Sequence, residues 1–502
     1  MVGAFSVLTQ STFAQTASQI FAQDAIRFSE GQPGSTARIK GIGNAGTAIG
    51  GDLSSISFNP AGIGFFTKSE LSITPEFNNN KSNSVFFGSP SSATNNSGNL
   101  NHAAAVFYTP LNTRPGADKT KGWLSLNFGA SFNRTNNFYQ DIRYAGQNNV
   151  SSISDYYALL ANNSNNIVGN RLQLPGGTLE GVAYNQYLID SVGKAPNGQY
   201  AFFDSNVATG VNQSRITRTS GGQSELNLAL GANYSNKLYI GASLALTSLR
   251  YNSTSTFNES GTELYNFNTN FSSDYNRNQV TDGNGFNLKA GFIYRPDNFV
   301  RFGATITSPT WYTINDVTFE GIATTFRGQQ PLAEDGTSYE TNYKLRTPWK
   351  ASGGLAFFFN KYGFISGDVD YVDYKSTHLS GYNGSEDDNQ YIKNLYRSTV
   401  NARVGAEIRV VDNFAIRGGY GFQGSPLKKD DTNESTKDVN LNTRTISGGL
   451  GYRVNNYSLD LTYQRISRGS TDLAYAVNNL PLPVAQLKNV YNNVFLTLGV
   501  RF

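Results

Sequence analysis

Residues 400–410 read VNARVGAEIRV. In an extended chain Val400, Ala402, Val404, Ala406, Ile408 and Val410 share one face, and Asn401, Arg403, Gly405, Glu407 and Arg409 share the other, because alternate side chains of a strand point to opposite sides. One face is purely apolar; the other carries glycine, amide and charge. Which face is buried decides the fold. A soluble barrel turns its apolar face inward, whereas a membrane barrel turns it to lipid and keeps the polar face in the lumen.

The same alternation recurs at 124–132 (LSLNFGASF), 226–234 (LNLALGANY), 286–294, 414–422, 446–454, 457–463 and 494–502 (VFLTLGVRF). Strands are expected near 69–78, 101–110, 122–135, 222–234, 237–257, 284–295, 298–319, 339–359, 361–376, 396–411, 413–424, 441–454, 456–469 and 489–502, with 298–319 the least regular. That even count lets both chain ends lie on one side of a barrel. RVVDNFAIR (409–417) and YRVNNYSLD (452–460) carry Asp-Asn and Asn-Asn at tight hairpin junctions. Segments 77–100, 136–220, 377–394, 424–440 and 470–488 read as long polar loops. Short turns at one end and long loops at the other are the layout of an outer-membrane barrel.

Composition agrees. The 502 residues are polar on average, with 38% hydrophobic residues and a mean hydropathy of −0.39, yet 13% are aromatic. Disordered chains lack aromatics; half-buried strands use them. No apolar run is long enough for a transmembrane helix, and strands that alternate keep the average low in a membrane barrel. Charged residues are 15% with a net charge of +4 and no basic block, which speaks against nucleic acid as a partner. The absence of Cys removes disulfides, thiolate catalysis and thiolate metal sites. No propeller-type repeat of roughly 40–50 residues is visible, and the strands carry less Lys and Glu than a soluble sandwich would expose.

Residues 1–14 resemble the end of a signal peptide without its basic region, with cleavage expected after Ala14. Residues 15–68 form a short helix, SQIFAQDAIRFSE, and then a Gly/Ser/Ala-rich stretch without strand alternation. Ahead of a barrel at 69–502 this segment is a candidate plug. Gly41, Gly43 and Gly46 match G-x-G-x-x-G, but no strand precedes them and no parallel α/β pattern follows, so a dinucleotide turn is excluded. Close backbone packing is the better reading.

The segments GSTAR (34–38), GGD (50–52) and NPAG (59–62), in that order, resemble the FadL-type outer-membrane transporters of hydrophobic compounds. So do TPWKASGGLAFFF (347–359) with GDVDYVDY (367–374), and the hairpin at 394–427. C-terminal Phe502 looks like the signal read by the barrel-assembly machinery. The resemblance implies an all-β, transmembrane antiparallel barrel of about fourteen strands with an N-terminal hatch in its lumen. It implies a single-chain protein of a Gram-negative outer membrane that takes up long-chain fatty acids or similar molecules passively, with no cofactor and no catalytic residues. It also implies ligand transfer to an inner pocket, a hatch shift and lateral exit. Asp52, Asn59, Pro60, Ala61 and Gly62 then become hatch and gating residues. Uptake of haem or of aromatic hydrocarbons, and a non-transporting adhesion or structural barrel, are the alternatives.

A fatty acid needs a cation for its carboxylate. Arg346 and Lys350 flank Pro348 and Trp349, and Lys393 and Arg397 stand at a loop–strand junction; these four are the candidates. Arg403, Glu407 and Arg409 share a face and are expected to neutralise one another. His102 and His378, the only two His, lack the spacing of a metal pair or a hydrolase motif. Within 136–220, YYALLANN and LEGVAYNQYLI place apolar residues at helical spacing, so part of this loop is expected to fold over the barrel mouth and touch the ligand.

Overall fold

The computed structural model describes residues 19–111, 116, 118, 120–164, 167–168, 171–172, 174–194, 200–428, 439–478 and 480–502. The expected signal-peptide remnant at 1–14 lies outside them. Fourteen antiparallel strands close into a barrel. They are β1 (Glu70–Phe86), β2 (Ser89–Phe107), β3 (Trp123–Asn137, continued by Gln140–Asn148), β4 (Val211–Tyr234), β5 (Leu238–Glu263) and β6 (Thr269–Tyr294). Then come β7 (Val300–Thr307 and Trp311–Phe326), β8 (Leu332–Arg346 and Lys350–Phe358), β9 (Gly363–Asp373), β10 (Ser398–Val411), β11 (Phe414–Gln423), β12 (Thr443–Val454), β13 (Tyr457–Leu473) and β14 (Val484–Arg501). Each pairs with the next, and β14 returns to β1 with Val500 facing Leu71. Closure leaves no sheet edge in the hydrocarbon, where an unpaired backbone group is costly.

The alternation at 400–410 resolves inside out. Val400, Val404, Ile408 and Val410 are exposed, while Asn401, Gly405 and Glu407 are buried in the lumen. On β4 and β5 the exposed residues are Leu226, Leu228 and Leu230, and Ile240, Leu244 and Leu246. An exposed apolar band around a closed sheet is a surface for lipid. On β5 it stops at Leu246, and the strand continues with Ser248 and Arg250 outward.

Each expected strand has an observed counterpart, but several expected loops are strand. Residues 77–100 extend β1 and β2 to a turn at Phe87–Gly88, and 211–221 extends β4. On upper β1 the inward face is polar, with Asn78, Asn80, Ser82 and Ser84 buried against the upper piece of β3, so its Asn and Ser show no apolar period. The segment 377–394 holds most of a helix, Ser385–Leu395, and a short strand, His378–Ser380, paired to β8.

Two further departures concern the wall. β2 pairs with β3 only over His102–Phe107. Above that the strands part, and the upper piece of β3 runs on the luminal side of the β1–β2 hairpin, where Asn80 donates to the Tyr139 carbonyl at 2.5 Å and Ser84 to that of Arg143 at 2.5 Å. β7 and β8, read as continuous from sequence, are each interrupted: Ser308–Thr310 in one, Thr347–Trp349 in the other. Pro309 and Pro348 have no N–H for the ladder.

Candidate functional site

The luminal segment begins with α1 (Gln19–Ser29). α2 (Ala37–Gly41) follows, its N-terminus capped by Thr36. Two short 3₁₀ helices come next, Leu53–Ile56 capped by Asp52 and Pro60–Phe65 capped by Asn59. The motif residues are explained by these turns. Gly50 and Gly51 both have left-handed backbones, with φ of 65° and 68°, and a Cβ on Gly50 would strike the Phe65 ring; only Gly meets both demands. Asp52 accepts from Ser54 N at 3.0 Å and from Thr36 Oγ1 at 2.9 Å. Pro60 occupies the first helical position, where its missing N–H costs nothing. Asn59 Oδ1 accepts from Ala61 N, while its Nδ2 donates to the Thr47 carbonyl at 2.8 Å and to the Phe292 carbonyl of the wall at 3.1 Å. Gly62 is pressed against Ser55.

The wall is shaped to receive this segment. A Cβ at Gly231 or Gly241 would collide with Pro60, at Gly291 with Asn59, at Gly303 with Thr47, and at Gly405 or Gly419 with the backbone of residues 42–43. Gly231 faces Gly241, Gly241 faces Gly291, and Gly405 faces Gly419. The polar-face glycines of the strands therefore form a belt on which the hatch backbone rests.

Charge completes the seat. Arg38 donates to both carboxylate oxygens of Glu407, at 2.8 and 3.1 Å, and lies 3.7 Å from Asp52. Glu407 also accepts from Arg417 at 2.8 Å, and Arg417 reaches Asp460 at 2.7 Å. Thr47 donates through N and Oγ1 to Asp368, at 2.9 and 2.8 Å. The expected neutralisation along β10 is corrected for Arg403, which pairs with Asp370 of β9 at 2.6 Å, while Arg409 does pair with Glu407, at 3.9 Å. Residues two apart on a strand are farther from each other than from cross-strand neighbours.

Above the belt, α1 sends Ala22, Ala25, Ile26 and Phe28 into an apolar chamber walled by Phe138, Leu249, Tyr251, Tyr312, Tyr343 and Tyr374, and topped by Ile392 of α5 (the Ser385–Leu395 helix; α3 and α4 follow below). Phe21 packs between Tyr343 and Tyr382. Beneath α1 a cavity of about 160 Å³ is bounded by Phe28, Ser29, Gly31, Gln32, Pro33 and Phe58 of the hatch and by the wall. Its charged lining is Lys289, Lys350 and Arg403 against Glu225 and Asp370. Lys289 pairs with Glu225 at 2.8 Å, and Lys350 shares Asp370 with Arg403 at 3.1 Å. Of the four cations singled out from sequence, Lys350 is placed in the lumen. Arg346, Lys393 and Arg397 are exposed, Arg346 opposite Trp311 and Arg397 donating to the Ser425 carbonyl. Lys289, Arg403 and Asp370 were not singled out as ligand groups; a charged residue on the glycine-bearing face of a strand was the available signal.

The mouth is covered by α3 (Ile153–Asn163) and α4 (Leu179–Asn185), the two segments with helical spacing. Ile153, Tyr157, Ala161, Val182 and Leu188 pack against Phe257, Phe271, Phe326 and Tyr475 of the strand tops and rim. Glu259, fully buried and far above the apolar band of β5, ties this lid down. It accepts from Ser152 Oγ, from Ile153 N at 3.0 Å and from Gln213 Nε2 at 2.6 Å. Burial pushes its carboxyl up to about 7, with the three donors opposing. The folded lid thus holds a proton that the open lid releases near 4.5. Its contribution is complete below about pH 4.5 and is lost as pH rises through 7, a change on the order of 3 kcal/mol. Hydrogen exchange of the α3 amides is expected to speed up from pH 5.5 to 8 after correction for intrinsic rates, and Glu259→Gln to flatten that response; a flat wild-type profile counts against it.

A lipid-faced barrel whose lumen is filled by its own N-terminal segment defines a plugged outer-membrane channel. Residues 194–493 match the profile of the outer membrane protein transport protein family (OMPP1/FadL/TodX), and the chain belongs to that family. It is an outer-membrane channel for hydrophobic compounds. In fold it is similar to a Pseudomonas aeruginosa FadL homologue, with a TM-score of 0.52 and 13% identity over 93% of this chain and 98% of that one. It is also similar to the P. putida toluene transporter TodX, with a TM-score of 0.51 and 11% identity over 94% and 99%. A search of curated proteins found no match. Among the described residues no group of His, Cys, Asp and Glu has the arrangement of a metal site.

Proposed function

We propose that this channel takes up long-chain fatty acids or similar single-chain acids, and that α1 and the hatch turn at 59–62 move to admit them. The carrying observation is the cavity lining, in which three cations face two carboxylates, with Lys350 sharing Asp370. Asp368, the next acid on β9, is engaged by Thr47. An excess cation under an aromatic chamber suits a carboxylate with a hydrocarbon tail better than an uncharged hydrocarbon. The tail would take the apolar places that Phe28 and Ile26 now hold, since each CH₂ removed from water is worth about 0.8 kcal/mol. Sideways exit into the membrane is part of this reading, because it would spare the tail a passage through water.

The test is uptake of labelled oleate and of toluene by liposomes carrying the protein. Oleate uptake above protein-free liposomes is expected, and Lys350→Met is expected to weaken oleate binding about tenfold, the equivalent of one charge-assisted hydrogen bond, and to spare toluene. Toluene uptake without oleate uptake would give the site to aromatic hydrocarbons. Uptake of neither would leave a structural or adhesive barrel. Haem titration is expected to show no Soret shift.

A further inference from the structure

Directly above the apolar band, the outer face of β12, β13, β14 and β1 carries cations, and among the described residues it carries no acid. The register sets these residues in successive rows. The last apolar row runs from Tyr463 of β13 through Val494 of β14 to Phe77 of β1, all exposed. In the row above, Arg465 faces Asn492, which faces Asn79. One row higher, Arg444 of β12 faces Ser467, Ser467 faces Val490, and Val490 faces Lys81. Lys488, opposite Asn83, stands in the row after that. Arg444, Arg465, Lys488 and Lys81 are all exposed, and among the described residues none of them is in an ion pair.

The strands themselves explain the lack of acid. β12 and β14 contain no Asp or Glu. Glu70 and Glu76 of β1 are buried on its inner face. Asp460 and Asp472 of β13 are held by Arg417 and Arg215. On β5 and β6, by contrast, the outward Arg250 pairs with Asp282 at 3.0 Å. Arg444 and Arg465 are diagonal neighbours across β12 and β13, and Lys81 and Lys488 across β1 and β14, a spacing within reach of long side chains at which like charges repel. Between the two pairs the surface is knitted by side chains. Tyr463 Oη donates to Asn492 Oδ1 at 2.8 Å, Asn492 Nδ2 to Asn79 Oδ1 at 3.4 Å, and Asn79 Nδ2 to Asn96 Oδ1 at 2.7 Å.

We propose that this outward patch is a docking site for the phosphorylated headgroup of an outer-leaflet lipid. The occupant follows from place and charge. The patch begins one row above the hydrocarbon and faces away from the lumen, so the headgroup layer lies against it. Four mutually repelling cations call for an anion from outside these strands. Phosphate meets both cation types, because a guanidinium binds it with two parallel hydrogen bonds and an ammonium as a point charge. A zwitterionic headgroup brings its own cation and gains less. Clusters of Lys and Arg at a membrane surface read anionic lipid in this way. The acyl chains would then lie along Tyr463, Val494 and Phe77 and the exposed Leu461 and Leu450 below them. The site lies outside the wall and does not depend on what the lumen carries.

The test titrates the full chain in detergent with diphosphoryl lipid A, monophosphoryl lipid A and phosphatidylcholine, and counts retained lipid by native mass spectrometry. Diphosphoryl lipid A is expected to be retained saturably, the monophosphoryl form more weakly, and phosphatidylcholine not at all. Arg444→Gln with Arg465→Gln is expected to weaken retention of the diphosphoryl form about thirtyfold, the effect of two cations at a membrane surface, while the heat-modifiable gel shift of a folded barrel persists. Arg250→Gln, already paired on the far side, is the control and should change nothing. Equal retention of the three lipids, retention unaltered in the double variant, or an equal loss in the control overturns the site. Deacylated disaccharide bisphosphate bound as tightly as the acylated lipid would give the patch to soluble phosphates and overturn the lipid assignment.

Discussion

Gly241→Val in β5 is expected to give a folded barrel whose lumen conducts. The isopropyl group would have to occupy the space of the Pro60 carbonyl and the Ala61 amide. Overpacking of a well-packed interior costs about 1–3 kcal/mol, and the two partners here yield unequally. Gly241 is locked in the ladder between Gly231 and Gly291, while Pro60–Phe65 is a 3₁₀ helix of only six residues. The hatch should give way. In planar bilayers the variant should show a stable ionic conductance that the wild type lacks, and residues 59–66 should become open to protease. A variant that stays as closed as the wild type would show that the hatch does not seal the lumen on this belt. Gly353→Val is the control, since a Cβ there meets nothing within 4 Å.

Arg38→Met is expected to unseat the hatch from the opposite wall. It leaves Asp52, Glu407 and Asp460 with Arg417 and, at 3.9 Å from Glu407, Arg409. Breaking a buried pair by removing one partner costs about 3–5 kcal/mol, a large share of what can hold a short segment in place. Arg38→Met with Glu407→Gln removes one charge of each sign and should recover much of the loss. The measurement is hydrogen exchange of residues 37–47 together with the temperature of the gel-mobility shift. The first should respond strongly and the second weakly, because the barrel ladder is unaffected. Equal protection in both variants and wild type would mean that glycine packing alone seats the hatch.

Much of this was legible in residues 400–410, because strand period and the identity of the two faces are local properties. The order of the fourteen strands, the helices of the 136–220 loop and the luminal position expected of the N-terminal segment follow from similar local signals or from the motif resemblance. The upper halves of β1 and β2 were illegible, since the inward face of β1 there is buried through Asn and Ser and so has no apolar period. The short α1 was visible, but its burial among Tyr251, Tyr312 and Tyr343 was not, as those residues lie hundreds of positions away.

By itself the sequence determined the class: glycine and charge opposite an unbroken apolar face can be satisfied only by lipid outside and a filled lumen. Only the tertiary structure decided which charges meet, which glycines are approached, and that the outward cations of β12, β13, β14 and β1 adjoin. Those are register properties. They depend on how distant strands align when the sheet closes, and a one-residue slip would move each of them to the other face.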